Sequence, residues 1–499
     1  MKAYATLVGF ILIFASAISQ EVCFNNAYNY NDFSPALAVN EHEGDIFFSG
    51  VTYDSTNNTL SKYLACTDSL GTLKYWKTVS DTQYAYWAGY RGGGLRKVDE
   101  GGFIDVGTIG FKSDSSNGLL YRYCNAGDTL WTKQYTNNII GNQVILWDCN
   151  TTNDNGFVAT GVYSIAPYHS GVLLIEVDSA GQEILRKEYQ QAGWIQHGYS
   201  VEQTSGNGYL LGIYQYMPGY DTSGDPAILK VDSLGFIQWK KNIGGPVRDF
   251  NAKVCLANDG NYIAGTSISD STALDDYYTR IKIVKLSTAG EIIWENTYCG
   301  TELNNKLYAI YPDHNGGYVA TGKRRNELHP GSWWNEYGWL IKINENGDSI
   351  WYREYQYYNG TGDDFNSLYD LCLTSDGGYA MVGQVSTWIE PQTAWLIKVD
   401  SLGQLVSSFE IPFPTKYFTE RLHIYPNPAT QYVNIRYPIS NSRYSIIIYD
   451  LFGHKQDEIE VPIGQQETRI SISNYAPGIY VAVLKNDQGI LVRGKFVKR

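Results

Sequence analysis

Basic residues are scarce in this sequence. Thirty-eight Lys and Arg stand against 51 Asp and Glu, so the 499-residue chain has a formal net charge of −13. Nucleic acids and anionic membrane surfaces attract clustered Lys and Arg, and this balance argues against both as partners. Hydrophobic residues make up 43% of the chain and aromatic residues 14%, which excludes intrinsic disorder. We therefore expect a folded protein with no nucleic-acid partner.

Motifs of familiar catalytic and metal sites are also missing. There is no HExxH, no GxSxG and no P-loop. The seven His are scattered without a pair at metal-ligand spacing, and no two Cys form a CxxC. The sequence therefore predicts no metal, no cofactor and no catalytic residue. Paired carboxylates could cleave glycosides, but their separation cannot be read from sequence.

Long apolar runs are absent except near the N-terminus, and that run is short. Lys2 precedes the apolar residues 7–14, and Ala17 and Ser19 place small residues at −3 and −1 of a cut before Gln20. Residues 1–19 are therefore predicted to be a signal peptide. The run is too short for a stable membrane anchor, so we expect no transmembrane segment in the mature chain.

Cysteine is used in an odd number, seven. An odd count in an exported chain leaves at least one thiol unpaired. Four of the seven lie inside strand-like runs, where Cys acts as a small buried hydrophobe. We favour that interpretation over a disulfide framework. The four are Cys66, Cys124, Cys255 and Cys372.

A repeat of about 55 residues fills the middle of the chain. A Gly-containing turn marks each copy, and its glycines are 54 to 57 residues apart: Gly71, Gly127, Gly181, Gly235, Gly290, Gly347 and Gly403. Each copy holds four β-runs joined by short turns, which indicates four antiparallel strands. Seven such copies predict an all-β, seven-bladed β-propeller over residues 20–412. Because every copy supplies its own four strands, we expect the ring to close by blade packing alone.

Two recurring residue types have predicted structural roles. In Asp-Ser-x-Gly turns, Asp should accept hydrogen bonds from the turn backbone while Gly takes a positive φ. A Trp follows most of these turns by four or five residues, on the fourth strand. We expect these Trp to pack between blades rather than to bind a ligand.

Candidate ligand-binding residues lie where the copies differ, in the long loops that share one face of a propeller. Trp in these loops could stack on sugar rings or peptide side chains, although long loops could also bury the rings themselves. Three copies begin their first strand with Asp-Phe, and these Asp could bind a cation or a polyhydroxylated ligand, or only accept backbone hydrogen bonds. The predicted site residues are Asp32, Trp87, Trp194, His197, Asp249, Trp333, Trp334, Asp364 and Trp388.

The last 79 residues, 421–499, differ from the repeats. They open on Tyr425-Pro426-Asn427-Pro428-Ala429, contain Gly478-Ile479-Tyr480 and end on a basic stretch with Lys495, Lys498 and Arg499. This segment resembles the C-terminal sorting domain of the type IX secretion system of Bacteroidetes. The resemblance implies a small Ig-like β-sandwich after a linker at 413–420, and the secretion machinery as a partner. An ordinary Ig-like binding module is the alternative.

Together these features predict a monomeric protein that passes the periplasm and reaches the cell surface or the medium. Our first hypothesis is a non-catalytic module that binds an extracellular glycan or protein. The second is a propeller hydrolase or lyase acting on polysaccharide. The Asp of the three Asp-Phe pairs and His197 would then act as acid or base. The third is a structural surface protein.

Overall fold

The computed structural model describes residues 23–499 with gaps. The gaps are 82, 111–115, 137–142, 167–168, 219–223, 246–248, 270–278, 300–303, 327–334, 358–363, 388–389, 406–421, 438–443, 451–454, 462–464, 466 and 487–488. The chain divides into two compact units, residues 1–405 and 406–499. All regular structure in the described ranges is β-strand. These ranges contain no helix with the length and apolar character needed to cross a membrane.

The described residues of the first unit form successive antiparallel groups of four strands, or five in the second group, which we number as repeats 1 to 7. Repeat 1 contains β2 (Ala36–His42), β3 (Asp45–Asp54), β4 (Thr59–Thr67) and β5 (Leu73–Val79). Repeat 2 contains β6 (Ala85–Ala88), β7 (Arg96–Lys97), β8 (Phe103–Gly110), β9 (Ser116–Tyr123) and β10 (Thr129–Tyr135). Repeat 3 contains β11 (Gln143–Thr151), β12 (Phe157–Ala166), β13 (His169–Val177) and β14 (Glu183–Tyr189).

The remaining repeats continue this order. Repeat 4 contains β15 (Ile195–Gln203), β16 (Tyr209–Tyr216), β17 (Asp225–Val231) and β18 (Ile237–Asn242). Repeat 5 contains β19 (Lys253–Leu256), β20 (Tyr262–Ser269), β21 (Thr279–Leu286) and β22 (Ile292–Tyr298). Repeat 6 contains β23 (Asn304–Pro312), β24 (Tyr318–Asn326), β25 (Asn335–Ile343) and β26 (Ser349–Tyr355). Repeat 7 contains β27 (Asp364–Leu373), β28 (Tyr379–Thr387), β29 (Thr393–Val399) and β1 (Phe24–Tyr28).

Hydrophobic clusters join each repeat to the next. In one of them Ile104 and Val106 of repeat 2 pack against Val144 and Leu146 of repeat 3. Equivalent clusters lie between the other neighbouring repeats. A further cluster packs Val39 and its neighbours in repeat 1 against repeat 7, so the repeats follow one another in a closed cycle. Face-to-face packing of four-stranded sheets in a cycle is the arrangement of a β-propeller.

The fourth strands confirm the predicted role of the recurring Trp. Trp239 of repeat 4 lies over the turn glycine Gly290 of repeat 5, and its Nε1 donates to the Thr288 carbonyl at 3.0 Å. Trp294 makes the same bond to the Glu345 carbonyl of repeat 6 at 3.0 Å. In the turns, Asp232 Oδ1 accepts from two backbone N–H groups and Gly235 has φ 74°. Each repeat thus anchors its outer edge on the turn of the next one.

The prediction that the ring closes by blade packing alone is wrong. The N-terminal strand β1 pairs antiparallel with β29, with Phe24 opposite Lys398 and Tyr28 opposite Ala394. It occupies the place of the fourth strand in repeat 7. The sequence after the seventh turn lacks the Trp that most other fourth strands carry, whereas β1 places Phe24 and Asn26 against the turn glycine Gly71 of repeat 1. A strand from each end of the unit is therefore hydrogen-bonded into one sheet.

The second unit has two sheets around one core. The first sheet contains β30 (His423–Tyr425), β31 (Tyr432–Arg436) and β34 (Glu467–Ser471). The second contains β32 (Tyr444–Asp450), β33 (Lys455–Val461), β35 (Gly478–Asn486) and β36 (Gly489–Lys498). Val433 and Ile435 of the first sheet pack with Ile446, Ala482 and Phe496 of the second. Seven strands that share one buried core form a small β-sandwich.

Candidate functional site

The first strands of the repeats face a common centre, and five of them carry a β-bulge at an equivalent position. The extra residue of a bulge is left out of the ladder and its side chain is re-aimed. The pairing of strands β2, β11, β15, β23 and β27 skips one residue in each strand. The skipped residues are Leu37, Trp147, Tyr199, Tyr308 and Tyr369. Four of the five are aromatic, so aromatic side chains collect around the centre.

Repeat 2 carries a longer interruption at this position. Its first strand is split into β6 and β7, and residues 89–95 leave the sheet between them. This segment, the central loop, contacts the first strands of the other six repeats. Tyr90 N donates to the Trp147 carbonyl at 3.0 Å, Gly92 N donates to the Leu37 carbonyl at 3.3 Å, and Lys253 Nζ donates to the Gly92 carbonyl at 2.8 Å.

Arg91 of the central loop contacts repeats 6 and 7. Its Nη1 lies 3.2 Å from Tyr308 Oη, and its guanidinium carbon lies 4.7 Å from the centre of the Tyr369 ring. A Cβ added to Gly92, which has φ 73°, would collide with the carbonyl oxygens of Tyr308 and Tyr369. Only glycine fits such a position, because positive φ and close backbone approach both exclude a side chain. The central loop therefore fills the centre of the ring.

An open cleft of about 500 Å³ lies beside the central loop, between repeats 1, 2 and 3. We name it the aromatic cleft. Its lining is mostly apolar, with hydroxyl and amide groups at intervals: Leu37, Val51, Trp87, Ala88, Gly89, Tyr90, Thr108, Gly110, Ser116, Gln143, Ile145 and Trp147. Trp87 is 44% exposed although it is a large aromatic residue. An accessible concave surface with aromatic walls and few polar groups is the usual form of a ligand site.

Aromatic residues continue from the cleft toward repeat 4. The Trp147 ring centre lies 5.6 Å from that of Tyr90 and 4.5 Å from that of Tyr199. His197 packs edge-on against Trp147 at 5.3 Å, and its Nε2 is 3.0 Å from Ser170 Oγ. Burial lowers the pKa of His197 to about 4 and raises the pKa of Tyr90 to about 12. Both side chains are therefore neutral near pH 7.

Buried charged groups of the first strands pack against the central loop. Arg96 Nη2 lies 3.2 Å from Asp148 Oδ1, and Asp370 Oδ2 accepts from Val39 N at 3.0 Å. Burial raises the pKa of Asp370 to about 6 and that of Glu202 to about 8, and lowers the pKa of Lys253 to about 8. Arg96 pairs with Asp148, Asp370 and Lys253 bond to the backbone, and Glu202 accepts from Asn150 Nδ2, which fits a role in holding the first strands together.

The three Asp of the predicted site lie in three different repeats. Asp32 is exposed, and its Oδ2 accepts from Ser55 N at 2.8 Å. Asp249 is buried and accepts from Gly245 N and from Ser269 N, the latter at 2.7 Å. Burial raises the pKa of Asp249 to about 6. Asp364 is buried where β27 begins, opposite Thr387. Asp32 and Asp249 thus fasten the start of a first strand to the end of the second.

The described residues bring no three His, Cys, Asp or Glu side chains together in a metal-binding geometry. Of the predicted Trp, Trp87 lines the aromatic cleft, and His197 lies at its extension. Trp194 instead lies with its ring 6.0 Å from Lys240 Nζ, over the outer strand of repeat 4. Trp333, Trp334 and Trp388 lie outside the described residues.

Sequence reasoning missed Tyr90, Trp147 and Tyr199, although a signal was present. Trp147, Tyr199, Tyr308 and Tyr369 each stand ten residues before the aromatic residue that opens the second strand of their repeat. The motifs that define the repeat lie on the second strand and at the Gly turn, whereas this recurring aromatic residue lies on the first strand. The three consecutive glycines at 92–94 are a second signal, because such a run suits a backbone that closely approaches other segments of the chain.

In the second unit, the fold joins motif residues that are far apart in sequence. Asn427 Oδ1 accepts from Val497 N at 2.9 Å, and its Nδ2 donates to the Lys495 carbonyl at 3.1 Å. Gly478 pairs with Lys498, and Tyr480 stacks on Phe496 at 5.6 Å. Pro426 and Pro428 both follow cis peptide bonds in this segment, and Tyr425 Oη donates to Glu467 Oε2 at 2.7 Å. The opening motif, the Gly-Ile-Tyr and the basic end therefore share one edge of the sandwich; Ile479, between Gly478 and Tyr480, is 41% exposed.

A family model for a secretion system C-terminal sorting domain matches residues 423–499. Residues 423–499 are a C-terminal sorting domain. This sorting domain indicates export by the type IX secretion system to the cell surface or the extracellular space. The motif resemblance seen in the sequence is thereby confirmed. No curated protein matches the chain.

Several solved structures are similar to this chain at low sequence identity. The β-propeller domain of the Trilobed protease from Pyrococcus furiosus matches 75% of this chain over 97% of its own length, with 8% identity and a TM-score of 0.38. A protein of unknown function from Dyadobacter fermentans matches 63% of this chain over 97% of its length, with 10% identity and a TM-score of 0.42. Puromycin hydrolase matches 82% of this chain with 12% identity and a TM-score of 0.47, and the match spans 59% of that protein.

Proposed function

We propose that this protein is a seven-bladed β-propeller that reaches the cell surface or medium of a Bacteroidetes bacterium through the periplasm and binds an extracellular glycan without cleaving it. The single observation that carries the proposal is the aromatic cleft. Trp87, Tyr90 and Trp147 offer ring faces to a ligand, and a sugar ring presents the C–H groups that stack on such faces. Thr108, Ser116 and Gln143 supply hydrogen-bonding groups for hydroxyls.

The blade count is supported by the cyclic series of hydrophobic clusters and by the seven Gly turns. Residues 1–19 serve as signal peptide, residues 20–412 contain the propeller, and an Ig-like sandwich follows the linker at 413–420. The export machinery is the partner of the sorting domain. A monomer suffices for the proposed site, because all lining residues come from repeats 1 to 3 of one chain.

A non-catalytic role is supported by the state of the groups at the cleft. His197, the nearest candidate acid or base, is a neutral, buried imidazole whose Nε2 is engaged by Ser170. Asp249 belongs to repeat 5, and backbone N–H groups occupy its carboxylate. A general acid or base has to reach the substrate, within hydrogen-bond distance or through one water.

The test is a glycan array probed with the purified full chain, with a parallel assay for released reducing sugar. We expect binding without release. Release of sugar from a bound polysaccharide would replace the proposal with the hydrolase or lyase hypothesis. Absence of binding to every glycan would overturn it in favour of a protein-binding or structural role.

A further inference from the structure

Repeat 6 places three basic side chains on the side of the sheet that also carries Glu336. Lys306 on β23 lies directly opposite Lys323 on β24, and Arg325 on β24 lies directly opposite Glu336 on β25. Residues directly opposite on neighbouring antiparallel strands point to the same side of the sheet, and like charges there are destabilising. We name Lys306, Lys323, Arg325 and Glu336 the basic cluster.

The single carboxylate of the basic cluster is already shared. Glu336 Oε1 lies 2.7 Å from Lys323 Nζ and 2.6 Å from Arg325 Nη2, and Oε2 accepts from Ser367 Oγ at 2.8 Å. The Glu336 side chain is only 2% exposed. Its two cations and the Ser367 hydroxyl take up both oxygens. Both carboxylate oxygens are therefore engaged by Lys323, Arg325 and Ser367, and no bond joins Glu336 to Lys306.

Lys306 has no ion-pair partner among the described residues. Its Nζ lies 4.1 Å from the centre of the Phe250 ring, so an aromatic face replaces a counterion. Burial, then Lys323, Arg325 and Arg91, lower the pKa of Lys306 to about 8. Asp249 precedes Phe250 in the chain, and its carboxylate accepts from the backbone N–H groups of Gly245 and Ser269. A half-buried lysine without an ion-pair partner among the described residues carries a desolvation cost, and binding of an anion would offset it.

The basic cluster and the aromatic cleft open at the same end of the strands. The cluster sits where β23 and β25 begin and β24 ends, and the cleft sits where β6 begins and β8 ends. The central loop connects them, because Tyr90 lines the cleft while Arg91 reaches Tyr308 of repeat 6. A chain-like ligand that stacks in the cleft and extends across this end of the strands would meet the basic cluster.

We propose that the basic cluster is a subsite for an anionic group, a carboxylate or a sulfate, of a charged polysaccharide. The identity of the ligand as a glycan rests on the proposed function, whereas the anion preference rests on the cluster alone. Lys306 is the group that would gain a counterion, and Lys323 and Arg325 would add charge-assisted hydrogen bonds. Carboxylated and sulfated polysaccharides share this chemistry.

The experiment measures binding of three oligosaccharides to the full chain by calorimetry: an oligogalacturonide, a sulfated carrageenan oligosaccharide and a neutral galactan oligosaccharide. We expect at least one charged oligosaccharide to bind at least tenfold more tightly than the neutral one. Lys306→Gln should remove most of that preference. Lys187→Gln is the matched control, because Lys187 Nζ also lies over an aromatic ring, that of Phe236, at 4.5 Å. The preference of this control should be unchanged.

The outcomes separate the two proposals. Binding of the neutral oligosaccharide as tight as that of the charged ones, or an unchanged preference in Lys306→Gln, would overturn the anion subsite and leave glycan binding standing. If none of the three oligosaccharides binds, the glycan array decides the proposed function, and the subsite is judged with sodium sulfate alone. Millimolar sulfate should then raise the melting temperature of the wild type and the Lys187→Gln variant more than that of Lys306→Gln. Equal shifts in all three would overturn the subsite.

Discussion

Tyr28 Oη donates a hydrogen bond to the carbonyl of Gly71 at 2.5 Å, joining the N-terminal strand to the turn of repeat 1. The same bond recurs between the last residue of other fourth strands and the turn glycine of the next repeat. Tyr135 bonds to Gly181 at 2.9 Å and Tyr189 to Gly235 at 2.8 Å. Strand β1 therefore makes the same hydrogen bond to the next repeat as the fourth strands of repeats 2 and 3.

Removing this strand should weaken the whole ring. We expect Tyr28→Phe to lower the free energy of unfolding by about 1 kcal/mol, the value of one hydrogen bond. Deletion of residues 24–28 should cost several-fold more, because it exposes the edge of β29. Urea denaturation of the full chain measures both. Tyr30→Phe, at a tyrosine that is 38% exposed, is the control and should change little. An unaltered midpoint in the deletion variant would contradict closure by β1.

The packing of the central loop can be tested at Gly92. Gly92→Ala should destabilise the protein by more than about 2 kcal/mol, because a positive φ and a collision with the Tyr308 carbonyl add together. Gly193→Ala is a matched control. Gly193 has φ 81°, and a Cβ there would have no atom within 4 Å. It should cost only about 1 kcal/mol from backbone strain. Equal losses in thermal unfolding would show that the loop does not fill the centre.

Trp87 should contribute to binding more than to folding. Because its ring is 44% exposed, Trp87→Ala should change the free energy of unfolding by less than about 1 kcal/mol. We expect it to weaken glycan binding at least tenfold, as aromatic anchors do. Trp194→Ala serves as the matched control, since this Trp lies over Lys240 outside the cleft lining. A loss of binding in Trp194→Ala and not in Trp87→Ala would place the ligand elsewhere.

His197 should make stability depend on pH in a defined window. Its folded pKa of about 4 lies below the value of about 6.5 expected in the unfolded chain, so the unfolded state takes up the proton first. The contribution of neutral His197 to the free energy of unfolding is fully present above pH 6.5. It is lost as the pH falls toward 4, to a limit of roughly 3 kcal/mol. Asp249 and Asp370, with raised pKa values, act with the opposite sign.

The comparison that isolates His197 is between the wild type and His197→Gln. The variant should lose less stability than the wild type between pH 6.5 and 4 in chemical denaturation. His314→Gln, at the turn of repeat 6 where the ring bonds to the Thr374 carbonyl, is the control. Parallel pH profiles for wild type and His197→Gln would contradict a buried neutral imidazole.

The sorting domain offers a test of export. Asn427 makes two hydrogen bonds to β36, so Asn427→Ala should destabilise the edge that gathers the motif residues by about 1–2 kcal/mol. We expect less protein at the cell surface and in the medium, as measured by immunoblotting of the cell fractions. Deletion of residues 423–499 should abolish export altogether. Normal surface levels of the deletion variant would show that export does not need this domain.

Local sequence was sufficient for the repeat architecture and for the sorting domain. Gly turns, Asp at the turn and alternating apolar residues act over a few positions, so the local pattern of a copy predicts its strands, except the fourth strand of repeat 7. The seven glycines near a period of 55 and the Tyr-Pro-Asn-Pro opening carried those predictions. Trp239 and Trp294 could be assigned to packing because their fixed distance from a turn sets which neighbour they meet.

Only the tertiary structure determined which residues of distant repeats contact one another. Phe24 pairs with Lys398 and Arg91 touches Tyr369, and neither partner is encoded by nearby residues. The aromatic cleft likewise depends on bulges that turn Trp147 and Tyr199 out of the ladder, and the opposition of Lys306 to Lys323 depends on register. These contacts join segments separated by tens to hundreds of residues. Their formation is fixed by packing of the whole ring, which no local pattern specifies.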